Sequence, residues 1–323
     1  MKKELEIWQF AAERLKQNKS VMLLVVAESS GSSPGRQGFK MAVAEDDLRG
    51  SIGGGVMEVR LVELAKVKSK KVKGKTESAI VEQVHQENSP NKSGMICSGK
   101  QTIIFYRLDL SDLKVVREIV CALENHQPKV LQISNFKFQI SNFQAQDFDF
   151  NFEQGGGYDF LYQEQLGYKN RLFIVGGGHC ALALSELVSK MDFHIALFDD
   201  RPNLNTLEKN KFVHEKYIIE SYEKIDELIA SGANHFVVVM TLGYKTDKII
   251  IRKLLDKNFK YFGVLGSRAK MATLLRELKK EGFSKEKLNQ IHTPIGLPIN
   301  SQTPEEIAVS IAAEIIAVKN KTV

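Results

Sequence analysis

RLFIVGGGHCALALSELVSKMDFHIALFDDRP, residues 171–202, decides the fold. It opens on a short apolar run at 171–175 that stops at Gly176, Gly177 and Gly178. Ala181, Leu184, Leu187, Val188 and Met191 then recur at helical spacing. A second apolar run at 195–198 ends on Asp199 and Asp200. Strand, glycine turn, helix, strand and acid follow one another as in the repeating unit of a parallel sheet.

Gly176, Gly178 and Ala181 fill the G-x-G-x-x-G/A pattern. The first glycine permits a tight turn, the second lets a phosphate approach the backbone, and the small third residue lets helix and strand pack closely. The N–H groups and dipole of the helix start favour an anion. His179, just after the glycines, is placed to donate to a phosphate. Asp199 lies where a carboxylate accepts hydrogen bonds from a ribose diol, which favours NAD or another adenosine-type nucleotide over NADP. Arg201 beside it weakens that preference. A Rossmann-like doubly wound parallel sheet is therefore expected over 170–323. A domain that keeps this shape and binds nothing is the competing reading.

The chain has 323 residues, 43% hydrophobic and 26% charged, which suits about two globular domains. No apolar run approaches the ~20 residues that span a bilayer, and the first fifteen residues pattern as an amphipathic helix, so no membrane association is expected. Cys97, Cys121 and Cys180 are scattered, without metal spacing or a disulfide framework, and fit a reducing cytoplasm. The net charge of +6 gathers partly in Lys66, Lys68, Lys70, Lys71, Lys73 and Lys75. No aromatics interleave that run, and nucleic acid is not an expected partner.

Residues 1–127 read as a smaller α/β domain with a mixed sheet. A helix is predicted over 4–17 and a buried strand over 21–27. A hydroxyl-rich loop containing Ser29, Ser30, Ser32, Ser33 and Arg36 leads to Lys40 and two short strands. Gly53, Gly54 and Gly55 then open a helix over 56–67, with Glu58 in its first turn. Backbone N–H groups, serine hydroxyls and the Arg36 and Lys40 cations suit a phosphate or a polar heterocycle. Glu58 either orients a ligand donor or complements the helix dipole. Strands follow at 79–85 and 101–106. Cys97 lies in a Gly/Ser loop between them, either an exposed reactive thiol or a small buried hydrophobe. Cys121 falls inside a helical pattern over 113–123 and reads as core.

SSPGRQGFKM (32–41), GSIGGGVME (50–58) and GMICSG (94–99), with GGGH (176–179) and DDRP (199–202), resemble the XdhC/CoxI family of xanthine dehydrogenase accessory proteins as an ordered set. GSR (266–268) and HTPIGL (292–297) agree as well. The resemblance implies a chaperone that binds molybdenum cofactor as cargo, assists its sulfuration by a cysteine desulfurase, and loads it into a molybdenum hydroxylase of the xanthine or CO dehydrogenase type. It implies a homo-oligomer, a dimer, and no turnover of the protein's own. Three departures stand out. Val56 replaces a cysteine found in some relatives. Ser98 replaces a glycine after Cys97. The loop at 241–247 lacks histidines that relatives tend to carry. Cys97 is left as the single thiol for molybdenum or for a transferred sulfur.

Between the domains, 128–169 reads as a variable β-rich linker. QISNF at 132–136 recurs at 139–143, and phenylalanines alternate over 147–152. Beyond the fingerprint, strands are predicted at 211–213, 235–240 and 261–265, and a helix at 221–230. Arg268 opens another helix at the same sheet edge as the first glycine turn, suited to bidentate phosphate contact. His292 reads as a satisfied surface residue. Thr303, Pro304 and Glu306 form a capping box for the last helix. Two functions compete with the chaperone: an NAD(P)-dependent oxidoreductase, for which no poised acid–base pair is evident, and a nucleotide-sensing interaction module.

Overall fold

The apolar run at 21–27 becomes the centre of the first sheet because both of its faces are covered. The computed structural model describes residues 2–71, 79–84, 99–135, 137–142, 149–155 and 159–321. They divide into two units, Met1–Gly167 and Tyr168–Val323. The first contains α1 (Lys2–Lys16), β1 (Val21–Gly31), β2 (Lys40–Val43), β3 (Leu48–Gly50), α2 (Gly55–Lys71), β4 (Ala79–Val84), β5 (Gly99–Leu108) and α3 (Leu113–Glu124). Its five strands run in the order β3-β2-β1-β5-β4, each neighbouring pair antiparallel. Val21, Leu23, Val25 and Ala27 pack with Trp8 and Leu15 of α1 and with Val116 and Ile119 of α3. Met22, Leu24 and Val26 pack with Met57, Leu61 and Ala65 of α2. A strand buried on both sides loses the polar alternation of a half-exposed one.

Residues 128–169 are not a linker. They fold as β6 (Lys129–Ser134), β7 (Phe138–Asn142), β8 (Phe150–Gln154) and β9 (Phe160–Leu166), an antiparallel sheet in the order β7-β6-β9-β8. Leu131, Ile133, Phe138, Tyr162 and Leu166 join the same core as Trp8 and Leu15, so the sheet belongs to the first unit. The first domain is consequently not the smaller one. The repeated QISN sequence forms the two arms of one hairpin. Gln132 pairs with Gln139 across it, and the Gln139 amide donates to Gln132 Oε1 at 3.0 Å. β9 lies between β6 and β8 and ends just before the second unit begins.

The second unit contains β10 (Asn170–Val175), α4 (His179–Val188), β11 (Phe193–Asp199), α5 (Asn205–Lys209), β12 (Glu215–Ile218), α6 (Ile225–Leu228), β13 (Gly232–Val239), α7 (Tyr244–Leu254), β14 (Phe259–Val264), α8 (Arg268–Lys280), α9 (Lys285–Leu288) and α10 (Pro304–Lys319). The parallel order β12-β11-β10-β13-β14 is that of a doubly wound sheet with its crossover at β10. Leu184 and Val188 of α4 and Ile311 and Ile315 of α10 cover one face. Ile250, Leu254, Met271 and Leu274 of α7 and α8 cover the other. The strand expected at 211–213 forms instead at 215–218. Buried Asn210 holds a turn there, accepting from the Phe212 N–H and donating to Ser185 Oγ. The helix expected at 221–230 is a 3-10 turn followed by the four residues of α6.

Candidate functional site

Two loops and the start of β5 meet at one end of the first sheet, and each carries residues of one of the three N-terminal motifs. A Cβ on Gly35 would lie 2.1 Å from the Ile52 carbonyl oxygen and 2.2 Å from Gln101 Nε2. One on Gly53 would lie 2.5 Å from the Gly35 nitrogen, and one on Gly99 would lie 2.7 Å from the Ser33 nitrogen. Nothing larger than glycine permits these approaches. The loop after β1, the turn before α2 and the start of β5 are thereby pressed together. Cys97 and the rest of 94–98 lie outside the described residues; Gly99, two positions later in sequence, is the part of that motif seen against Ser32 and Ser33.

The glycine turn before α2 is already supplied with an anion. Glu58 Oε2 accepts from Ser51 Oγ at 2.7 Å, from Ile52 N at 2.8 Å and from Gly54 N at 2.9 Å. The Gly53 N–H donates to Ser51 Oγ at 3.1 Å. Gly53, Gly54 and Gly55 hold φ of 130°, 79° and 72°, a run of left-handed conformations that only glycine adopts without strain. Two of the amides expected to cradle a phosphate, those of Gly53 and Gly54, are thus engaged inside the turn, and Glu58 is tied to it by one oxygen. Among the described residues its other oxygen, Oε1, has no partner. Ser33 is buried with its hydroxyl on the Gly35 carbonyl, whereas Ser32 and Arg36 are exposed.

Beneath the loops lies Gln101, which is fully buried. It sits on the same face of β5 as Ile103 and Phe105, toward α2. Its Nε2 donates to the Ile52 carbonyl at 3.1 Å, while its Oε1 accepts from no group among the described residues. Most buried polar atoms have a partner, and an unmade bond costs about 1–3 kcal/mol. The sequence reading missed Gln101; the signal was a polar residue in register with the buried positions of its own strand.

Lys40 meets the loop after β1 only at the Gly38 carbonyl, 3.1 Å from its Nζ. Its side chain is 3% exposed and its Nζ lies 2.6 Å from Glu164 Oε2 and 2.8 Å from Glu4 Oε1. Tyr162 donates to the same Glu164 oxygen at 2.9 Å. Burial disfavours the ammonium, but the two carboxylates outweigh it and raise the lysine above its ordinary range. The tyrosine is also pushed up, by burial and by Glu164. The cation expected to meet a ligand anion instead joins α1, β2 and β9.

In the second unit the glycine turn is likewise met from within. Gly176 holds φ of 107°, and a Cβ there would strike the Met240 carbonyl oxygen at 2.5 Å. Fully buried Asp199 accepts from the Gly177 N–H at 2.6 Å through Oδ2. Arg201 donates to it bidentately, Nε to Oδ1 at 2.8 Å and Nη2 to Oδ2 at 2.7 Å, and the Arg201 N–H adds a bond to Oδ1 at 2.9 Å. Four donors fill the capacity of one carboxylate. Burial pushes this carboxyl up, yet Arg201 and the Gly177 and Arg201 amides hold it below the usual range. A ribose diol reaches Asp199 only by displacing Arg201. Beyond Gly178 the space is open, with no heavy atom within 4 Å of a built Cβ, and His179 is exposed at the first position of α4.

Arg268 is exposed in the first turn of α8, which follows β14 as α4 follows β10. Nearby Asp247 is buried, accepting from Thr241 Oγ1 at 2.5 Å and from Lys270 Nζ at 2.7 Å. His292 pairs with Glu314 at 3.0 Å, and Glu314 also accepts from Tyr261 and the Gly296 N–H. Cys121, expected in the core, is exposed. The buried stripe of α3 is Val116, Ile119, Ala122 and Leu123, and Cys121 shares the opposite face with Lys114 and Glu118. Among the described residues no group of three metal-binding side chains occurs and no helix is long and apolar enough to cross a membrane.

Residues 172–315 match the family model of the XdhC Rossmann domain, and residues 14–70 match that of the XdhC and CoxI family. The uncharacterized protein YqeB of Escherichia coli is 29% identical over 210 residues, 64% of this chain and 36% of that protein. A Bacillus subtilis protein, a probable xanthine dehydrogenase subunit, is 29% identical over 162 residues, 50% of this chain and 46% of that protein. The matched stretch thus spans less than half the length of either relative. A crystal structure of a xanthine dehydrogenase from Bacillus halodurans is similar in fold, with a TM-score of 0.70, 21% identity, and coverage of 99% of this chain and 97% of that one.

Proposed function

Since the chain belongs to the XdhC and CoxI family, we propose that it is a maturation factor that carries molybdenum cofactor, assists its sulfuration and delivers it to a xanthine-dehydrogenase-type hydroxylase. The observation that carries this reading is the convergence of the loop at 32–38, the turn at 51–55 and the start of β5 at 99–101 on one end of the first sheet. Such a cargo has a pterin rich in N–H donors, a phosphate tail and a soft metal. The loops offer acceptors in Glu58 and Gln101, exposed Arg36 for the phosphate, and Cys97 for molybdenum or a transferred sulfur. A cysteine desulfurase supplies that sulfur, and the carrier works as a dimer in the cytoplasm. The second unit serves as scaffold, with the Asp199–Arg201 pair opposing a dinucleotide at the ribose position. The protein is to be purified from cells making the cofactor, and its molybdenum and pterin content measured. Stoichiometric cargo, reduced in Cys97→Ala, is the expected result. An empty protein, together with full maturation of the client hydroxylase in its absence, refutes the reading.

A further inference from the structure

We propose that the site in the first unit recognises a reduced pterin ring by its N–H donors, through Glu58 Oε1 and Gln101 Oε1, and not by phosphate at the glycine turn. This rests on the carrier reading and names the part of the cargo that these residues hold. The turn before α2 has its own anion: Glu58 Oε2 takes three donors, from Ser51, Ile52 and Gly54. A phosphate would meet a carboxylate there. What the turn lacks is a donor. Gln101 is fully buried with its Oε1 unmatched, and its Nε2 is fixed on the Ile52 carbonyl, so the amide is held against Gly35 and Ile52 between the two loops. Glu58 meets the same Ile52 through its N–H. One buried oxygen without a donor, Gln101 Oε1, and the half-buried Glu58 carboxylate therefore flank one residue, approached from its two peptide groups.

Such a pair selects the ligand by chemistry. An orphaned buried acceptor discriminates strongly, because a ligand without the matching N–H leaves the cost in place. A reduced pterin carries N–H groups on its pyrimidinone edge and on its reduced ring. A guanine nucleotide carries them on one edge only, and inorganic phosphate has no N–H, only P–OH on an anion that the Glu58 carboxylate opposes. Beside Gly54 no heavy atom lies within 4 Å of a built Cβ, which leaves open space at the turn for a flat ring, and Phe39 is exposed at the end of the neighbouring loop.

The test uses the full chain and three probes, 6-methyltetrahydropterin, GMP and inorganic phosphate, titrated calorimetrically. The pterin should bind at least about tenfold more tightly than either other probe. Gln101→Leu should weaken it by about tenfold or more while the protein keeps its tryptophan emission, and Glu58→Ala should do the same. If Gln101→Leu does not fold, Gln101→Met replaces it. Pterin affinity unchanged in a folded Gln101 variant overturns the assignment, as does equal binding of GMP or phosphate, or no pterin binding by the wild type. Cofactor co-purifying equally with wild type and Gln101→Leu would sink this assignment and leave the carrier reading standing. Pterin binding that depends on Gln101, in a protein always recovered free of molybdenum, would do the reverse.

Discussion

Replacing Lys40 with methionine separates a structural lysine from a ligand-binding one. The substitution keeps the aliphatic stem and removes the charge that joins Glu4 and Glu164. Glu164 is 4% exposed in its side chain and Glu4 20%, so Glu4 can turn to water and Glu164 cannot. Removing one partner of a buried ion pair costs about 3–5 kcal/mol, and the partial exposure of Glu4 places the expectation near the lower end. With a urea m-value of about 2 kcal/mol/M, the midpoint should fall by about 1.5 M. The reporter is built in: Trp8 is the only tryptophan, fully buried in the core of the first unit. The pH dependence has a definite sign. Lys40 binds its proton more tightly in the folded chain, so its contribution is complete below the unfolded value of about 10.4 and is lost as pH rises through the higher folded value. The gap between wild type and Lys40→Met should be constant from about pH 6 to 9 and close above about 10.5. Adding Glu164→Leu to Lys40→Met should recover part of the loss, since no charge is then left buried. A midpoint within about 0.3 M of wild type would refute the structural role and return Lys40 to the ligand site.

Asp199→Asn should destabilise the second unit by about 2–3 kcal/mol, read by calorimetry, and speed hydrogen exchange at the Gly177 amide. Because this carboxyl is held low, its contribution is present above about pH 4 and lost as pH falls, so the variant should have a flatter acid limb. Gly35→Ala should cost at least about 2 kcal/mol in the tryptophan-monitored transition, as its methyl would force Ile52 and Gln101 apart. NAD at about 1 mM, ample for most enzymes that use it, should leave the melting temperature unchanged. A rise of several degrees would show that Arg201 yields to a ribose.

The parallel sheet was legible in the sequence because its signals are local. An apolar run, three glycines and a helical repeat fix 171–199 without reference to distant residues. The final helix was equally readable, since Thr303 and Glu306 satisfy each other's backbone at its start. The partners of charged groups were not legible. Lys40 and Glu164 are 124 positions apart in the chain, and no spacing rule relates them. The same applies to Glu58, whose carboxylate was foreseen at a helix start but not as the filling of its own turn. Residues 211–213 read as a strand in sequence because the buried Asn210 that ties them acts through Ser185, on another element. Gln101 was overlooked for a different reason: an unmatched oxygen is a property of the folded surroundings.

The sheet spanning 129–166 falls outside both matched family regions, yet it carries the acid that neutralises Lys40 of the first motif. Homology alone would cut the chain after residue 70 and resume at 172, discarding that acid as filler. A hybrid that grafts residues 1–127 onto another member's second half would keep Lys40 paired with Glu4 but without Glu164, leaving its buried charge half compensated. Engineering by parts must therefore transplant 1–167 whole, and a swap that respects only the motifs should yield insoluble protein.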